Sequence, residues 1–130
     1  MAKNQGSVFN IKFHLVWCPK YRMNVLVDKV EKRLKELLYQ KAKELNIDIE
    51  AIEIMPDHVH LFLSCNSTNF SPNKIAAQFK GFTSRTLRQE FSHLTTRMPT
   101  LWSRSYYVGT IGHVSESTVK RYIEEQKKRS

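Results

Sequence analysis

In the stretch IEIMPDHVHLFLS, Ile52 to Ser64, two histidines stand one residue apart inside an otherwise apolar run. Residues two apart on a strand project to the same face, about 7 Å from each other. His58 and His60 therefore share a face, while Val59, Leu61 and Leu63 take the opposite one, the side expected to meet the core. Two neutral imidazole nitrogens turned away from a core can close on one divalent cation. Solvated or hydrogen-bonded histidines would show the same spacing, so the pair alone leaves both readings open.

A metal pair needs further ligands and a reaction needs a nucleophile, which directs attention to the C-terminal stretch SESTVKRYIEEQKK, Ser115 to Lys128. On a helix, Val119, Tyr122, Ile123 and Gln126 fall at i, i+3, i+4 and i+7, so one face carries a tyrosine with a glutamine one turn beyond it, about 6 Å along the axis. An amphipathic helix using Tyr122 as a core aromatic is the alternative. Tyr21 falls in a loop, Tyr39 lies among mixed charges on a helix, and Tyr106 and Tyr107 stand near Trp102, where packing or base stacking accounts for them. Cys18 and Cys65 have no second cysteine nearby and read as buried thiols. His93 and His113 have no spacing partner. No GxxxxGK[ST] phosphate loop is present.

Periodicity supplies the elements that must position these residues. Phe9, Ile11, Phe13, Leu15 and Trp17 alternate with Asn10, Lys12, His14 and Val16, a half-buried first strand in which His14 is expected to pack at the sheet surface. Asp28 is placed to cap a helix whose apolar positions are Val30, Leu34, Leu37, Leu38, Ala42 and Leu45. Ile49 to Met55 and His58 to Ser64 form a hairpin about the turn MPD, where Asp57 is either a turn residue or part of the site. Ser71 and Pro72 open a second helix carrying Ile75, Phe79, Phe82 and Phe91 and interrupted by Gly81. Leu101 to Ile111 reads as a fourth strand and Ser115 to Lys128 as a last helix. The order βαββαβ plus a helix predicts an α+β, ferredoxin-like antiparallel sheet with helices on one face.

All 130 residues suit a single domain. No run approaches the roughly 20 apolar residues of a membrane span and MAKNQGSVFN has no signal-peptide core, so a soluble cytoplasmic protein is expected. Lysine and arginine number 21 against 12 acids, a formal charge of +9 that favours a polyanionic partner. From His58 to Ser115 the only acid is Glu90.

Taken together, HLVWCPKYR (His14 to Arg22), MPDHVHLFLS (Met55 to Ser64), LWSRSYYVGT (Leu101 to Thr110) and YIEEQ (Tyr122 to Gln126) resemble, in order, the blocks of the single-tyrosine HUH transposases of small insertion sequences, the two-hundred type. The resemblance covers nearly the whole chain. It implies metal-dependent nicking and joining of single-stranded DNA, with His58 and His60 as the HUH histidines, Tyr122 as nucleophile and Gln126 as third metal ligand. The product implied is a 5′-phosphotyrosine linkage with a free 3′-hydroxyl. Two imidazoles by themselves favour a transition ion, whereas the resemblance implies Mg2+ or Mn2+. It further implies recognition of subterminal DNA hairpins, for which Lys80 and Arg85 are candidate phosphate contacts, and a homodimer whose tyrosine helix completes the partner's site. A host-domesticated palindrome-processing relative and a passive ferredoxin-like nucleic-acid-binding module are the other readings.

Overall fold

The structure, a computed structural model, describes residues 11–66, 71–110 and 116–129. Along the chain they form β1 (Ile11–Trp17), a 3-10 turn (Lys20–Arg22), α1 (Asp28–Leu45), β2 (Ile47–Met55), β3 (His58–Cys65), α2 (Pro72–Glu90), α3 (His93–Thr96), β4 (Tyr107–Thr110) and α4 (Glu116–Arg129). The four strands make one antiparallel sheet in the order β2-β3-β1-β4. This is the α+β arrangement expected from βαββαβ.

The period of two in β1 and β3 decides what the sheet covers. Phe13, Leu15 and Trp17 join Val59, Leu61 and Leu63 on one face, all fully buried. Onto them α1 brings Val30, Leu34, Leu37, Leu38 and Ala42, and α2 brings Ile75, Ala76, Phe79 and Leu87. Trp17 lies parallel to Phe79 at 6.4 Å between ring centroids and edge-on to Trp102 at 5.7 Å. Fully burying each such side chain contributes about 1.5–3 kcal/mol relative to exposure.

Helix boundaries follow local chemistry with one exception. The hydroxyl of Ser71 accepts from the Lys74 amide and Pro72 fills the first turn, as expected. Asn46, at φ 60°, closes α1 in the left-handed conformation and donates to Ala42 and Lys43 carbonyls. Asp28 differs from its expected capping role. It is the first residue of α1, at φ 54°, behind Val27, and no side chain caps this helix.

Of the described residues in the expected strand Leu101 to Ile111, only Tyr107–Thr110 pair with β1, so the strand begins later than expected. Leu101 and Trp102 are buried. They run beside Pro19 through a single bridge, with Lys20 N–H donating to the Leu101 carbonyl and Ser103 N–H to that of Cys18. Their apolar character reflects packing rather than ladder pairing. On the other side β2 begins two residues earlier than expected, with a bulge between Ile49 and Ala51. Phe9, Ile111, Gly112, His113 and Ser115 lie outside the described residues. Among those described, no helix is long and apolar enough to cross a membrane.

Candidate active site

Because β3 gives its odd residues to the core, His58, His60 and Phe62 project from the face opposite α1 and α2. The two histidines share that face, as the spacing predicts, and both are partly buried. Asp57, at the turn, reaches forward to His58, with Oδ1 3.0 Å from Nδ1. The other carboxylate oxygen lies 3.1 Å from Nε of Arg22, in the 3-10 turn where Tyr21 and Arg22 both have positive φ. Asp57 is therefore part of the site. It holds the proton of His58 on Nδ1, leaving Nε2 as a lone pair for a cation, the arrangement in which a carboxylate orients a metal-binding histidine.

His60 has a partner that the spacing of the pair could not show. Nδ1 of His14 lies 2.8 Å from its Nε2, and the His14 ring stacks on Phe62 at 4.7 Å. Burial lowers the pKa of both imidazoles, and at His60 the neighbouring His14 and His58 lower it further against the opposing effect of Glu53. Neutral rings share one proton between these two nitrogens. Only when Nε2–H of His60 donates to His14 does His60 retain an unprotonated nitrogen, Nδ1, for a metal. His58 and His60 thus have the donor chemistry for a divalent ion. Among the described residues no three His, Cys, Asp or Glu side chains converge as a metal cage.

Strand register connects this face to Tyr122. Glu53, His60, Val16 and Tyr107 form one row across β2, β3, β1 and β4. With β1 between their strands, His60 and Tyr107 are about 10 Å apart across the sheet. The ring of Tyr122 lies 5.9 Å from that of Tyr107, and its hydroxyl is 3.1 Å from Oγ of Ser105. Tyr122 lines a concavity of about 340 Å³ with Tyr107, Arg121 and Glu125. His14 and His60 line another, of about 240 Å³, with Ala51, Ile52, Glu53 and Phe62. A concavity of about 470 Å³ between the end of α1 and β2 carries neither histidine nor the Tyr122 hydroxyl, so its size is no guide to the chemistry.

Gln126 is 1% exposed, and its Oε1 accepts from Ser103 Oγ at 3.0 Å and Ser105 Oγ at 2.7 Å. The expected third ligand is thus engaged with two serines on its own chain. Lys80 also differs from expectation. Its ammonium points inward and donates to the carbonyls of Ser103 and Ser105 at 2.7 and 3.0 Å, away from the phosphate-binding role expected of it. Arg85 is exposed, as a phosphate contact requires. His93 is exposed as well.

The sequence profile of the family described as IS200-like transposases matches residues 7–126. The chain is 34% identical over 128 residues to the ISDra2 transposase TnpA of Deinococcus radiodurans, covering 97% of this chain and 91% of that protein. A crystal structure from Deinococcus radiodurans R1, described as that of a transposase, superposes with a TM-score of 0.84 at 36% identity, over 97% of this chain and 98% of the other. The fold is shared with a REP-associated tyrosine transposase bound to a REP hairpin, at a TM-score of 0.55 and 11% identity over 95% and 69% of the two chains. With its family profile, its sequence relative and its fold in agreement, the chain belongs to the IS200-like transposases, whose general activity is DNA transposition.

Proposed function

We propose that this transposase cleaves and rejoins single-stranded DNA through a covalent bond to Tyr122. The observation that carries the reading is the row from His60 through Val16 to Tyr107, which puts the histidine pair and the tyrosine helix on one sheet face. The Tyr122 oxygen attacks the scissile phosphorus, the bond from phosphorus to the 3′ oxygen breaks, and that oxygen leaves as a hydroxyl after taking up a proton. A 5′-phosphotyrosine remains. Attack by a 3′-hydroxyl on this linkage reverses the step, returning the phenol and restoring a phosphodiester, so no nucleotide hydrolysis is needed. A phenol with an ordinary pKa near 10 is a weak nucleophile at neutral pH. A divalent ion, Mg2+ or Mn2+, held by His58 and His60, and by Gln126 where its amide oxygen exchanges a serine hydroxyl for the metal, would help it by withdrawing charge from the phosphate and the attacking oxygen.

The chain's own residues do the positioning. Asp57 and Arg22 orient His58, His14 orients His60, and Ser105 receives the Tyr122 hydroxyl. We take the working form to be a homodimer in which the tyrosine helix is exchanged between subunits, so that it meets on the partner the same serine strip that it meets here and serves the partner's histidines. Exposed Arg85 and the basic stretch around it would bind DNA hairpins at the element ends, a reading supported by the hairpin in the REP-associated neighbour of the same fold.

Incubating the protein with labelled single strands copied from the DNA flanking its coding region, then denaturing the mixture, tests the proposal. The wild type should yield a protein–DNA adduct, and Tyr122→Phe none. A chelator should abolish the adduct. An adduct that survives in Tyr122→Phe would remove Tyr122 from its role.

A further inference from the structure

The strip from Ser103 to Ser105 is irregular, yet two helices are joined through it. Its carbonyls at Ser103 and Ser105 receive the Lys80 ammonium from α2. Its two serine hydroxyls face α4. Each hydroxyl has one proton, and both protons go to Oε1 of Gln126. The contact between Ser105 Oγ and Tyr122 Oη therefore has only one direction left: the phenol donates and the serine accepts. A chain of donors results, Tyr122 to Ser105 to Gln126, built on a strip whose carbonyls are drawn toward Lys80.

Lys80 is held firmly in this place. Its backbone carbonyl accepts from Nε1 of Trp102, which also donates to Thr83, and Thr83 donates in turn to the Phe79 and Lys80 carbonyls. Trp102 and Thr83 are buried, so the lysine projects from a packed part of α2 rather than from a loose surface turn. Among the described residues, one backbone bond, from Ser103 N–H to the Cys18 carbonyl, ties the strip to the body of the protein.

We propose that Lys80 is a positioning residue for strand cleavage: by fixing the Ser103–Ser105 strip from beneath, it sets where Tyr122 and Gln126 stand. The proposal rests on Tyr122 being the nucleophile. It assigns Lys80 no contact with DNA, although a lysine in a stretch whose only acid is Glu90 invites that assignment. The two roles differ in what they do to binding. A lysine on a phosphate lowers affinity when removed and reduces the salt slope of log K by about 0.7 for a single strand. An inward-pointing, partly buried post for the nucleophile leaves affinity and slope unchanged and slows only the chemical step, by about 100-fold for a displacement of 1 Å.

The test compares the wild type with Lys80→Met, Ser105→Ala and the double variant, on labelled single strands copied from the flanking DNA. For each, the rate of adduct formation, the dissociation constant across a salt series, and the hydrogen exchange of α4 amides are measured. Lys80→Met should form adduct 10- to 100-fold more slowly, bind DNA with unaltered affinity and salt slope, and exchange faster in α4 while the central strands stay protected. Ser105→Ala should act alike, and the double variant should be no slower than the slower single one, because both act through one strip. Loss of affinity with a smaller salt slope in Lys80→Met would overturn the proposal, and so would unchanged α4 exchange. Should Lys80→Met not fold, Ser105→Ala decides alone, since unchanged α4 exchange and adduct rate in it would show that the strip does not position the tyrosine. The assignment of Tyr122 fails separately, if the wild type forms no adduct or Tyr122→Phe still does; α4 exchange then continues to judge the link from Lys80 to the helix.

Discussion

His14 and His60 meet through single ring nitrogens, Nδ1 to Nε2 at 2.8 Å, from strands that are neighbours in the sheet but 46 residues apart in the chain. The contact fixes the orientation of His60. It also decides which nitrogen is left for a metal. Replacing His14 by alanine should therefore weaken Mn2+ binding by about tenfold, the usual effect of removing a group that orients a ligand. Electron paramagnetic resonance of free Mn2+ during a titration measures this without reference to cleavage. Equal or tighter binding by His14→Ala would mean that the contact restrains the site instead of preparing it.

The sequence discloses this face only in part, and the reason is register. Alternation within β1 and β3 is local, so it placed His58, His60 and His14 opposite the core side chains. Which residues meet across strands is set by pairing between distant segments. His14 is directly opposite Phe62 and only diagonal to His60, a relation that no spacing within either strand expresses. The same applies to the Ser103–Ser105 strip. Leu101 and Trp102 look like strand because they are apolar, yet they are buried by packing, and the two serines beyond them carry no periodic signal. Charge misled at Lys80, since a basic run does not show which of its members folds inward. Regular elements were more legible. α1, α2 and the β2–β3 hairpin follow from local patterns of burial and turn chemistry.

Lys80 also provides a pH-dependent prediction of stability. Burial lowers its pKa from the ordinary 10.5 to about 8, slightly opposed by the nearby Cys18 thiol, whose own pKa is pushed up to about 12. Between these two pH values the unfolded chain holds a proton that the folded chain has released. The contribution of Lys80 to stability must then rise with pH from about 8 to 10.5, and that gain is lost again as pH falls through 8. Subtracting urea-unfolding free energies of Lys80→Met from those of the wild type across this range removes the tyrosine titrations common to both. The difference should grow in favour of the wild type as pH rises, and a flat difference would place the lysine in contact with water.

Gly81 offers a simpler test of the helix around it. A Cβ at this position meets nothing within 4 Å, and the residue is exposed in the middle of α2. The glycine neither breaks the helix nor permits a close approach. Gly81→Ala should therefore stabilise the protein by about 0.5–1 kcal/mol through the lower backbone entropy of the unfolded chain. Urea unfolding should show a higher midpoint with unchanged slope. A lower midpoint would reveal a need for glycine that the helix does not display.

Assembly is tested by letting two damaged subunits repair each other. Gln126 is occupied by Ser103 and Ser105, and among the described residues no third acidic, histidine or cysteine side chain joins His58 and His60. If the tyrosine helix serves the partner's histidines, a His58→Ala/His60→Ala subunit still carries an intact Tyr122 and Gln126, and a Tyr122→Phe subunit still carries intact histidines. Neither homodimer cleaves. After subunit exchange, one of the two sites in each heterodimer receives both intact halves, so cleavage should return to at most about half the wild-type rate per heterodimer, the ceiling that one working site in two imposes on a step limited by chemistry. The DNA should then be attached only to the histidine-deficient chain, which a size tag on one subunit makes visible after denaturation. Within a single chain no such repair is available, because every site would contain one damaged half. Confirmed exchange without recovered cleavage would place Tyr122 and the histidines of each active site on the same subunit.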